Sequence, residues 1–519
     1  MTSLFSQIKQ AYLGRADKHA LIIGERHYTF EQLKNKVEDA CVHFAQLGIS
    51  PGDKVILVLP NELEFIIAML ALAELNACLV PLPLGINAKA FAKACDNTSA
   101  KHVIAWHASL NSYKTIADNN KLSISNWVSV GKSLEWAHNF EASNDGRIKS
   151  PPTIASLDMD APYILTMTSG STGAPKPITL SQQTKVKRAH SAISLYEVTS
   201  QDITLIATPL YHSLAERLIF VSLLSGGTAV LMPKFTIKQW LAQIAEHKVS
   251  FTIAVSSQLK QILACDPIPD MSSLRCVVSS SALLDMTIKE ALLKVLDCDF
   301  HECYGASEIA IATSIKFDPN SPIQSVGKAI PDTALILLSD DKKPVAIGEI
   351  GEIACKTPMR FSGYYQQTET TQNALFQDYF CTGDLGKLDK EGNLYFVGRK
   401  KEIIITGGIN IYPSDIEAVL KAQPQVDNAV AFALKDDNLG EVVAVALTTS
   451  VPSDEIAGAV QKLRIACATE LDAQQQPHKY FVFEQLPQNA MGKINKIAIT
   501  STAEAHKRAD KWLYHMEQN

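Results

Sequence analysis

The sequence lacks three features that would each point to a particular partner or environment. Its 48 Lys and Arg residues are balanced by 54 Asp and Glu residues, for a net charge of −6. No block of like charge is long enough to hold nucleic acid by its phosphates, so we expect no nucleic-acid partner. The longest apolar run, 65–73, is far shorter than the ~20 residues that span a bilayer, which predicts no membrane span. The first 22 residues lack a basic start followed by an apolar core, and we therefore expect a cytoplasmic location.

Cysteine is present, but in no pattern that binds metal. None of the ten cysteines forms a pair with CxxC spacing, and Cys41, Cys78, Cys95 and Cys303 lie in apolar or mixed segments. The sequence therefore predicts buried, reduced thiols.

The remaining composition is that of a globular chain. With 519 residues, 46% hydrophobic and 20% charged, two or three domains are expected. Residues 55–84 read as a strand, an apolar helix and a strand punctuated by proline, which is the rhythm of a βαβ unit. Similar alternation around Ile253, Val277 and Phe300 predicts an α/β fold with a parallel or mixed sheet covered by helices on both faces.

The texture changes after Asp384. A hairpin-like segment turns at 391–393, two short strand-like runs follow, and a helix is predicted over about 454–471. This pattern predicts a smaller α+β domain with its boundary near 399–401.

A terminal helix is also predicted. Residues 501–504 fit a capping box, and apolar residues recur at helical spacing after it, at Ala505, Ala509, Trp512, Leu513 and Met516. Packing of this helix onto its own domain is the simpler interpretation, and docking to a carrier protein or a second subunit is the alternative.

One loop has the chemistry of a phosphate cradle. It follows an apolar strand-like segment and contains Thr168, Ser169, Gly170, Ser171, Thr172, Gly173 and Lys176. Glycines let backbone N–H groups approach an anion, hydroxyls add donors and the lysine supplies positive charge. The loop differs from the GxxxxGK[ST] loop of common nucleotide hydrolases, because Pro175 stands where that pattern needs its second glycine. Taken alone, the segment also fits a flexible polar turn.

Four further segments follow it, at 304–308 (YGASE), 379–384 (YFCTGD), 398–413 (GRKKEIIITGGINIYP) and 486–493 (LPQNAMGK). Together, in this order and at these separations, they resemble the adenylate-forming superfamily of acyl-CoA synthetases, luciferases and nonribosomal-peptide adenylation domains. The resemblance runs over nearly the whole chain. It implies a large N-terminal domain over 1–400, with layered αβαβα sheets and a β-barrel-like subdomain, and a small mobile α+β domain over 401–519.

The resemblance implies a reaction in two steps. A carboxylate attacks the α-phosphate of ATP to give an acyl-adenylate and pyrophosphate, and a thiol then displaces AMP. The loop 168–176 would hold the β- and γ-phosphates, and Glu308 would ligate Mg²⁺, a hard cation that prefers oxygen. The nucleotide site would also include Ala282, Gly305 and Ser307, with Tyr304 stacked on the adenine.

The remaining implied roles fall near the C-terminus. Asp384 would accept hydrogen bonds from the ribose hydroxyls and Arg399 would donate to them. Lys493 would bridge the carboxylate and the α-phosphate and stabilise the charge that develops between them. Lys401 would be the pivot about which the C-terminal domain rotates. The small residues Gly407 and Gly408 would then leave room for the pantetheine arm of coenzyme A or of a carrier protein.

The acid is less well defined. His212, in the segment 209–217 (PLYHSLAER), is our candidate for the gate beside the acyl pocket, and a core histidine is the alternative. No aspartate lies between Thr208 and Leu224 to pair with a substrate ammonium, which disfavours an α-amino acid. We expect a carboxylic acid with an apolar or aromatic body, and Trp240 or residues 253–258 near its pocket.

Three departures from the family pattern bear on activity. The chain has SSSALL at 279–284 where relatives usually have SGGAPL, Pro177 after the loop lysine, and Ser307 where a threonine is usual. Pro177 removes one backbone donor, whereas Ser307 keeps its hydroxyl.

An AMP-forming acyl-CoA synthetase is the leading interpretation. The alternatives are an acid:carrier-protein ligase that uses an acyl carrier protein in trans, and a degenerate ATP-binding protein without activity. Retention of Glu308, Asp384, Arg399 and Lys493 argues against the last. Both a monomer and a homodimer are compatible with the sequence.

Overall fold

A computed structural model describes residues 2–141, 157–168, 176–406, 409–436, 439–489, 493–507 and 511–516. The chain divides into two compact units. Unit 1 comprises Met1–Leu335 and Cys355–Phe380, and unit 2 comprises Ile336–Ala354 and Cys381–Asn519. The predicted domain boundary at 400/401 marks the pivot of a rotation, and it stays a prediction.

The helices are α1 (Leu4–Ala11), α2 (Phe30–Gln46), α3 (Leu63–Glu74), α4 (Ala88–Thr98), α5 (His107–Asn119), α6 (Gln182–Leu195), α7 (Ser213–Ser225), α8 (Ile237–His247), α9 (Ser256–Ile262), α10 (Met286–Val295), α11 (Thr368–Asn373), α12 (Pro413–Lys421), α13 (Ile456–Glu470) and α14 (Lys496–His506). Short 3₁₀ helices cover Lys400–Glu402 and Ala473–Gln475.

The strands are β1 (His19–Ile23), β2 (Arg26–Thr29), β3 (Lys54–Val58), β4 (Cys78–Pro81), β5 (His102–Trp106), β6 (Asn126–Val130), β7 (His138–Asn139), β8 (Pro162–Thr168), β9 (Lys176–Ser181), β10 (Ile203–Ile206), β11 (Thr228–Leu231), β12 (Phe251–Val255), β13 (Cys276–Ser280), β14 (Asp299–Ala306), β15 (Ala310–Lys316), β16 (Lys328–Ala329), β17 (Ala334–Leu338), β18 (Gly351–Lys356), β19 (Gly363–Tyr364), β20 (Leu375–Phe376), β21 (Tyr379–Leu388), β22 (Leu394–Arg399), β23 (Ile404–Thr406), β24 (Ile409–Ile411), β25 (Asn428–Asp436), β26 (Gly440–Thr448), β27 (Lys479–Phe483) and β28 (Leu513–Met516).

Unit 1 is built on two mixed sheets. One has nine strands in the order β16-β15-β14-β13-β12-β10-β11-β1-β2, and the other has eight in the order β19-β9-β8-β4-β3-β5-β6-β7. The βαβ unit predicted over 55–84 is confirmed, because β3 and β4 pair in parallel and α3 connects them. Strands β12, β13 and β14 also pair in parallel, as their alternation with helical segments predicted.

Two helices of unit 1 are buried on nearly all sides. In α3, Leu63 and residues 65–73 are buried, and in α7 residues 214–224 are buried, with Glu216 and Arg217 among them. A helix that is buried on all sides lies inside a fold, and both helices therefore belong to the core.

A pair of oppositely charged residues is buried between α6 and α7. The Lys185 ammonium on α6 contacts the Glu216 carboxylate on α7, and the two side chains are 2% and 0% exposed. Burial lowers the pKa of Lys185, while the Glu216 carboxylate opposes that shift. The Lys185 ammonium is therefore stabilised by the Glu216 carboxylate, which also interacts with the charges of Arg188 and Arg217.

Unit 2 contains a sheet in the order β24-β23-β26-β27-β28, with β25 paired to β26. Apolar residues of α12 and α13, such as Leu420 and Val460, pack on one set of its side chains, and Ile499 and Ala503 of α14 pack on another.

The predicted hairpin is confirmed: β21 and β22 pair antiparallel across a turn in which Gly392 N donates to Asp389 O at 3.1 Å. The strand-like runs after 427 and the helix near 454–471 are confirmed as β25, β26 and α13. A further sheet has the order β17-β18-β21-β20, with β22 paired to β21.

The predicted terminal helix over 501–516 is wrong in its limits. The helix α14 begins at Lys496, where Asn495 accepts a hydrogen bond from Ala498 N, so residues 501–504 lie inside it and are not its cap. Residues 513–516 form β28, parallel to β27, and the rings of Phe481 and Tyr514 stack at 4.6 Å. Pairing with β27 buries Tyr514 and Met516, which decides for a strand. Ala509 lies outside the described residues.

Two expectations from composition can be checked. All ten cysteines are free thiols, eight of them buried and two half-buried, as predicted. Within the residues described above, no helix has the length and apolar character needed to cross a membrane.

Removing one member of the buried pair should destabilise unit 1. We expect Glu216→Ala to lower the free energy of unfolding by about 3–5 kcal/mol, because it leaves the Lys185 ammonium buried without its carboxylate. The double variant Lys185→Met/Glu216→Leu should recover most of this loss. Urea denaturation followed by tryptophan fluorescence reports on unit 1, which holds four of the five tryptophans. Equal losses in the single and double variants would contradict the role given to the pair.

Candidate active site

The predicted phosphate loop connects two antiparallel strands. Thr168 ends β8, Lys176 begins β9, and the two residues are register partners. Residues 169–175, which include Ser169, Gly170, Ser171, Thr172 and Gly173, lie outside the described residues, as do the side chains of Thr168 and Lys176. Their phosphate-binding role stays a prediction.

The segment 304–308 is shaped by an irregularity in the sheet. The register of β14 on β15 shifts between Tyr304 and Gly305, and Tyr304 is buried. A Cβ atom on Gly305 would lie 1.8 Å from Ala310 O, so only glycine permits this approach of the two strands. The approach places Ser307 and Glu308, both half-buried, in the turn after β14.

Glu308 is held at both its backbone and its side chain. Its carbonyl oxygen accepts hydrogen bonds from Phe361 N at 2.7 Å and from Arg188 Nη2 at 3.0 Å. One carboxylate oxygen, Oε1, accepts from the hydroxyl of Tyr364 at 3.2 Å. Burial, followed by the Glu308 charge, raises the pKa of Tyr364, so its hydroxyl stays a donor at neutral pH.

These contacts are compatible with a magnesium ion that is bound mainly through a nucleotide. In the part of the chain that the structure describes, no cluster of three His, Cys, Asp or Glu residues could hold a metal by itself. Mg²⁺ is commonly bound by one or two carboxylates together with substrate phosphates and water. A single half-buried carboxylate with one oxygen oriented by Tyr364 fits that donor set.

The departures at 280–284 have a conformational consequence. Ser281 has φ +78°, in the left-handed region that favours glycine, which is the residue relatives usually carry there. The next residue, Ala282, is exposed, and its carbonyl accepts a hydrogen bond from Ser256 Oγ. Leu284 N donates to Glu302 Oε1 at 3.0 Å. The middle and the last residue of the segment are therefore anchored.

His212 and Trp240 have different surroundings. His212 is half-buried at the N-cap of α7, and its ring lies 4.3 Å from that of Tyr211. Its role as an acyl gate stays a prediction. Trp240 is 1% exposed and belongs to a core cluster with Leu241 and Ile244, which accounts for it as a packing residue. Residues 253–258 form the end of β12 and the start of α9.

Asp384 and Arg399, predicted to bind ribose, are brought together by the β21–β22 hairpin. They are direct register partners, and Arg399 Nε lies 3.3 Å from Asp384 Oδ1. The Asp384 side chain is 10% exposed and that of Arg399 is 52% exposed. The hairpin thus presents an acceptor and a donor side by side.

Lys493 lies within electrostatic range of this pair. Its loop is closed by two hydrogen bonds, from Asn489 N to Lys493 O at 2.8 Å and from Lys493 N to Asn489 Oδ1 at 3.1 Å. Burial is the largest cause that lowers the pKa of Lys493, the Arg399 charge adds to it, and the Asp384 charge opposes it. Unit 2 thereby brings Lys493 near a pair that lies about a hundred positions earlier in the sequence.

The residues on either side of the predicted pivot are ion-paired. Lys401 is exposed in a single 3₁₀ turn. Lys400 pairs with Asp340 at 2.8 Å and Glu352 at 3.2 Å, and Glu402 pairs with Lys496 at 2.8 Å. Gly407 and Gly408 lie outside the described residues, between the paired strands β23 and β24.

Sequence reasoning missed several residues that support this site: Arg188, Lys289, Glu302, Phe361 and Tyr364. Lys289 and Glu302 form a second buried ion pair, and Glu302 is the acceptor that anchors Leu284. A lysine inside an apolar helix pattern is the signal that could have indicated Lys289, whereas the polar sequence of α6 gives no such signal for Arg188. No local pattern indicates Tyr364.

The profile of the AMP-binding enzyme family matches residues 8–365. The chain belongs to this family. It is 28% identical to the probable CoA ligase CCL9 of Humulus lupulus, over 95% of both chains. It is 29% identical to the 2-succinylbenzoate–CoA ligase of Bacillus velezensis, over 92% of this chain and 94% of that one.

Among solved structures, the anthranilate CoA ligase AuaEII in complex with anthranoyl-AMP matches with a TM-score of 0.87 and 22% identity. The match covers 97% of this chain and 98% of that one. This likeness confirms the predicted fold class, with a large α/β N-terminal part and a smaller α+β C-terminal part.

The approach of β14 to β15 should be indispensable to nucleotide binding. We expect Gly305→Ala to weaken AMP binding by about 10-fold or more, because the added Cβ overlaps the Ala310 carbonyl and displaces Tyr304. Gly458→Ala is the matched control: Gly458 lies in α13 with no atom near its would-be Cβ, so this change should preserve binding. Calorimetric titration with AMP measures both. Unchanged affinity in Gly305→Ala would contradict the role of the bulge.

Proposed function

We propose that this protein is an AMP-forming acid–thiol ligase that converts a carboxylic acid to its acyl-adenylate and then to its coenzyme A thioester. The observation that carries the proposal is the pairing of Asp384 with Arg399, within electrostatic range of Lys493. Asp384 and Arg399 form a donor–acceptor pair suited to ribose hydroxyls, and Lys493 supplies a positive charge in the same unit. Membership of the AMP-binding enzyme family supports the same assignment.

In this proposal each residue has a distinct task in the first step. Asp384 accepts from the ribose hydroxyls, Arg399 donates to them, and Tyr304 lies against the adenine. With the ribose fixed, the Lys493 ammonium meets the oxygens of the attacking carboxylate and of the α-phosphate, where negative charge accumulates. A preorganised cation in a site that excludes water stabilises such charge strongly.

The phosphates and Mg²⁺ complete the site. The loop 168–176 would bind the β- and γ-phosphates, and Glu308 would hold the ion. When bound, Mg²⁺ neutralises phosphate charge and assists departure of pyrophosphate. The half-buried Glu308 carboxylate, oriented by Tyr364, supports this part of the proposal.

For the second step, coenzyme A is the acceptor we propose. The relatives that the chain resembles over almost their whole length are named CoA ligases, which supports this choice. Rotation at Lys401 would bring the segment with Gly407 and Gly408 to the acyl-adenylate, where the pantetheine arm enters. A carrier protein presents the same arm and is the alternative acceptor.

For the acid, we propose a compound with an apolar or aromatic body. The relatives reported above include ligases named for 2-succinylbenzoate and anthranilate, both aromatic acids. His212, at the N-cap of α7, would border the acyl group. The side chains of Ser280 and Ser281, where relatives usually carry glycine, would narrow that pocket.

A product screen tests the proposal directly. Purified protein is incubated with ATP, Mg²⁺ and panels of short, medium, long and aromatic acids, with and without coenzyme A, and the products are read by mass spectrometry. Acyl-CoA and AMP formed over many turnovers support the proposal. Bound acyl-adenylate that coenzyme A does not discharge would indicate a carrier protein, and absence of adenylate from every acid would contradict ligase activity.

Replacing Lys493 should separate the two half-reactions. We expect Lys493→Ala to lower the rate of adenylate formation by about 100–1,000-fold, because the cation that stabilises the first transition state is removed. Thioester formation from a supplied acyl-adenylate should be retained. Lys462→Ala, on the exposed surface of α13, is the control and should leave both rates unchanged. Equal loss of both half-reactions in Lys493→Ala would overturn the assignment.

The lowered pKa of Lys493 predicts that the rate of adenylation falls at alkaline pH. A lysine holds its proton below its pKa and loses it above, so adenylation should be constant at lower pH. It should then fall as the pH rises through a value below the ordinary 10.5. The adenylation rate of Lys493→Arg should not fall in this pH range, because a guanidinium stays charged. Adenylation rates measured from pH 7 to 10.5 check this, and an identical fall in both proteins would contradict it.

A further inference from the structure

A short segment links the predicted phosphate loop to Glu308. We call residues 359–365 the strap. Ser362 N donates to Thr179 O and Tyr365 N donates to Pro177 O, each at 2.9 Å, so the strap is bound to the first residues of β9. Within it, Tyr364 is the register partner of Ile178. The strap therefore follows any displacement of the strand that leaves the loop.

The same strap contacts Glu308 twice. Phe361 N donates to the Glu308 carbonyl at 2.7 Å, and the Tyr364 hydroxyl donates to Oε1 at 3.2 Å. The rings of Phe361 and Tyr364 pack edge to face with centroids 5.0 Å apart, which limits the freedom of the hydroxyl. The backbone and the carboxylate of Glu308 are thus both fixed relative to β9.

The Arg188 side chain donates hydrogen bonds to both the strap and Glu308. It lies on α6, is 3% exposed, and donates from Nε to Met359 O at 2.9 Å and from Nη2 to Glu308 O at 3.0 Å. A guanidinium presents its donors in one rigid plane, so a single side chain sets the spacing between two carbonyl groups. Burial, followed by the Arg217 charge, lowers the pKa of Arg188 to about 9, which leaves it protonated at neutral pH.

We propose that Arg188 and Tyr364 are positioning residues that hold the Glu308 carboxylate at a fixed place relative to the strand leaving the phosphate loop. Arg188 fixes the Glu308 peptide plane together with Phe361 N. Tyr364 occupies Oε1, so that the carboxylate offers Oε2 to the cation. The inference rests on the proposed function, since it concerns the metal–nucleotide complex of that site.

The two residues predict a defect confined to the metal. Tyr364→Phe keeps the ring packing and removes one hydroxyl, and Arg188→Lys keeps the charge and removes the planar bridge. We expect Tyr364→Phe to raise the dissociation constant of Mn²⁺ in the presence of a nonhydrolysable ATP analogue about 3-fold to 10-fold, and Arg188→Lys about 10-fold. Metal-free AMP binding should change less than about 2-fold in both, because ribose and adenine contact other residues.

A matched control separates positioning from general stability. Arg275 is also a structural arginine that bridges acceptors: Nε bonds Asp202 Oδ1 at 2.7 Å and Nη1 bonds Tyr196 O at 3.0 Å. Arg275→Lys should lower the unfolding temperature and leave the Mn²⁺ dissociation constant unchanged. Glu308→Gln supplies the upper limit of the metal defect.

The measurements are Mn²⁺ binding by electron paramagnetic resonance and AMP binding by calorimetry. The inference is overturned if Mn²⁺ affinity is unchanged in both variants, if AMP and Mn²⁺ affinities fall in parallel, or if Arg275→Lys weakens Mn²⁺ binding equally. Failure of the wild-type protein to bind any nucleotide would instead overturn the proposed function and the inference with it. A wild-type protein that forms acyl-adenylate while the variants bind Mn²⁺ normally would overturn the inference alone.

Discussion

The close approach of β14 to β15 at Gly305 is the constraint on which the position of Glu308 in the candidate site depends. With 1.8 Å between a would-be Cβ and the Ala310 carbonyl, the sequence has no alternative to glycine at this point. The register shift at this point leaves Tyr304 buried in the sheet, and β14 ends one residue later, at Ala306, so that Glu308 lies in the following turn beside the strap. A backbone irregularity, rather than a side-chain interaction, therefore decides where the carboxylate lies.

Charge is handled differently in the two units. Unit 1 contains two buried ion pairs, Lys185–Glu216 and Lys289–Glu302. In unit 2, Arg399 is half-exposed, and the half-buried Lys493 interacts with the charges of Arg399 and Asp384. The first arrangement gives rigidity. The second leaves positive charge without full compensation, which suits a site that binds an anionic nucleotide.

Most of the fold was accessible from the sequence, because alternation of apolar residues is a local property. The βαβ unit at 55–84, the strands at Ile253, Val277 and Phe300 and the hairpin after Asp384 all follow from it. Local pattern misled at the terminal segment, where Trp512, Leu513 and Met516 fit a helix by spacing but pair with β27. The spacing of apolar residues in so short a segment does not distinguish a helix from a strand. The burial of Tyr514 and Met516 against β27 decides for the strand.

The candidate site was predictable only as a set of family motifs. The electrostatic interaction of Lys493 with Asp384 and Arg399 agrees with the grouping those motifs imply. Arg188, Tyr364 and Glu302 could not be foreseen, because each acts on a residue distant in sequence through a backbone carbonyl, a backbone N–H or one hydroxyl. Contacts of that kind depend on the folded path of the chain and leave no periodicity.

The burial of the cysteines has a consequence for how this protein meets oxidants. Burial raises the pKa of Cys78, Cys95, Cys276 and Cys355 to about 12, so their thiolate forms are nearly absent at neutral pH. Peroxide and alkylating reagents attack the thiolate and need access to it. In the intact molecule these four thiols are therefore unreactive. Each of them becomes reactive only when its own segment opens, so the rate of labelling at each one would report local unfolding there.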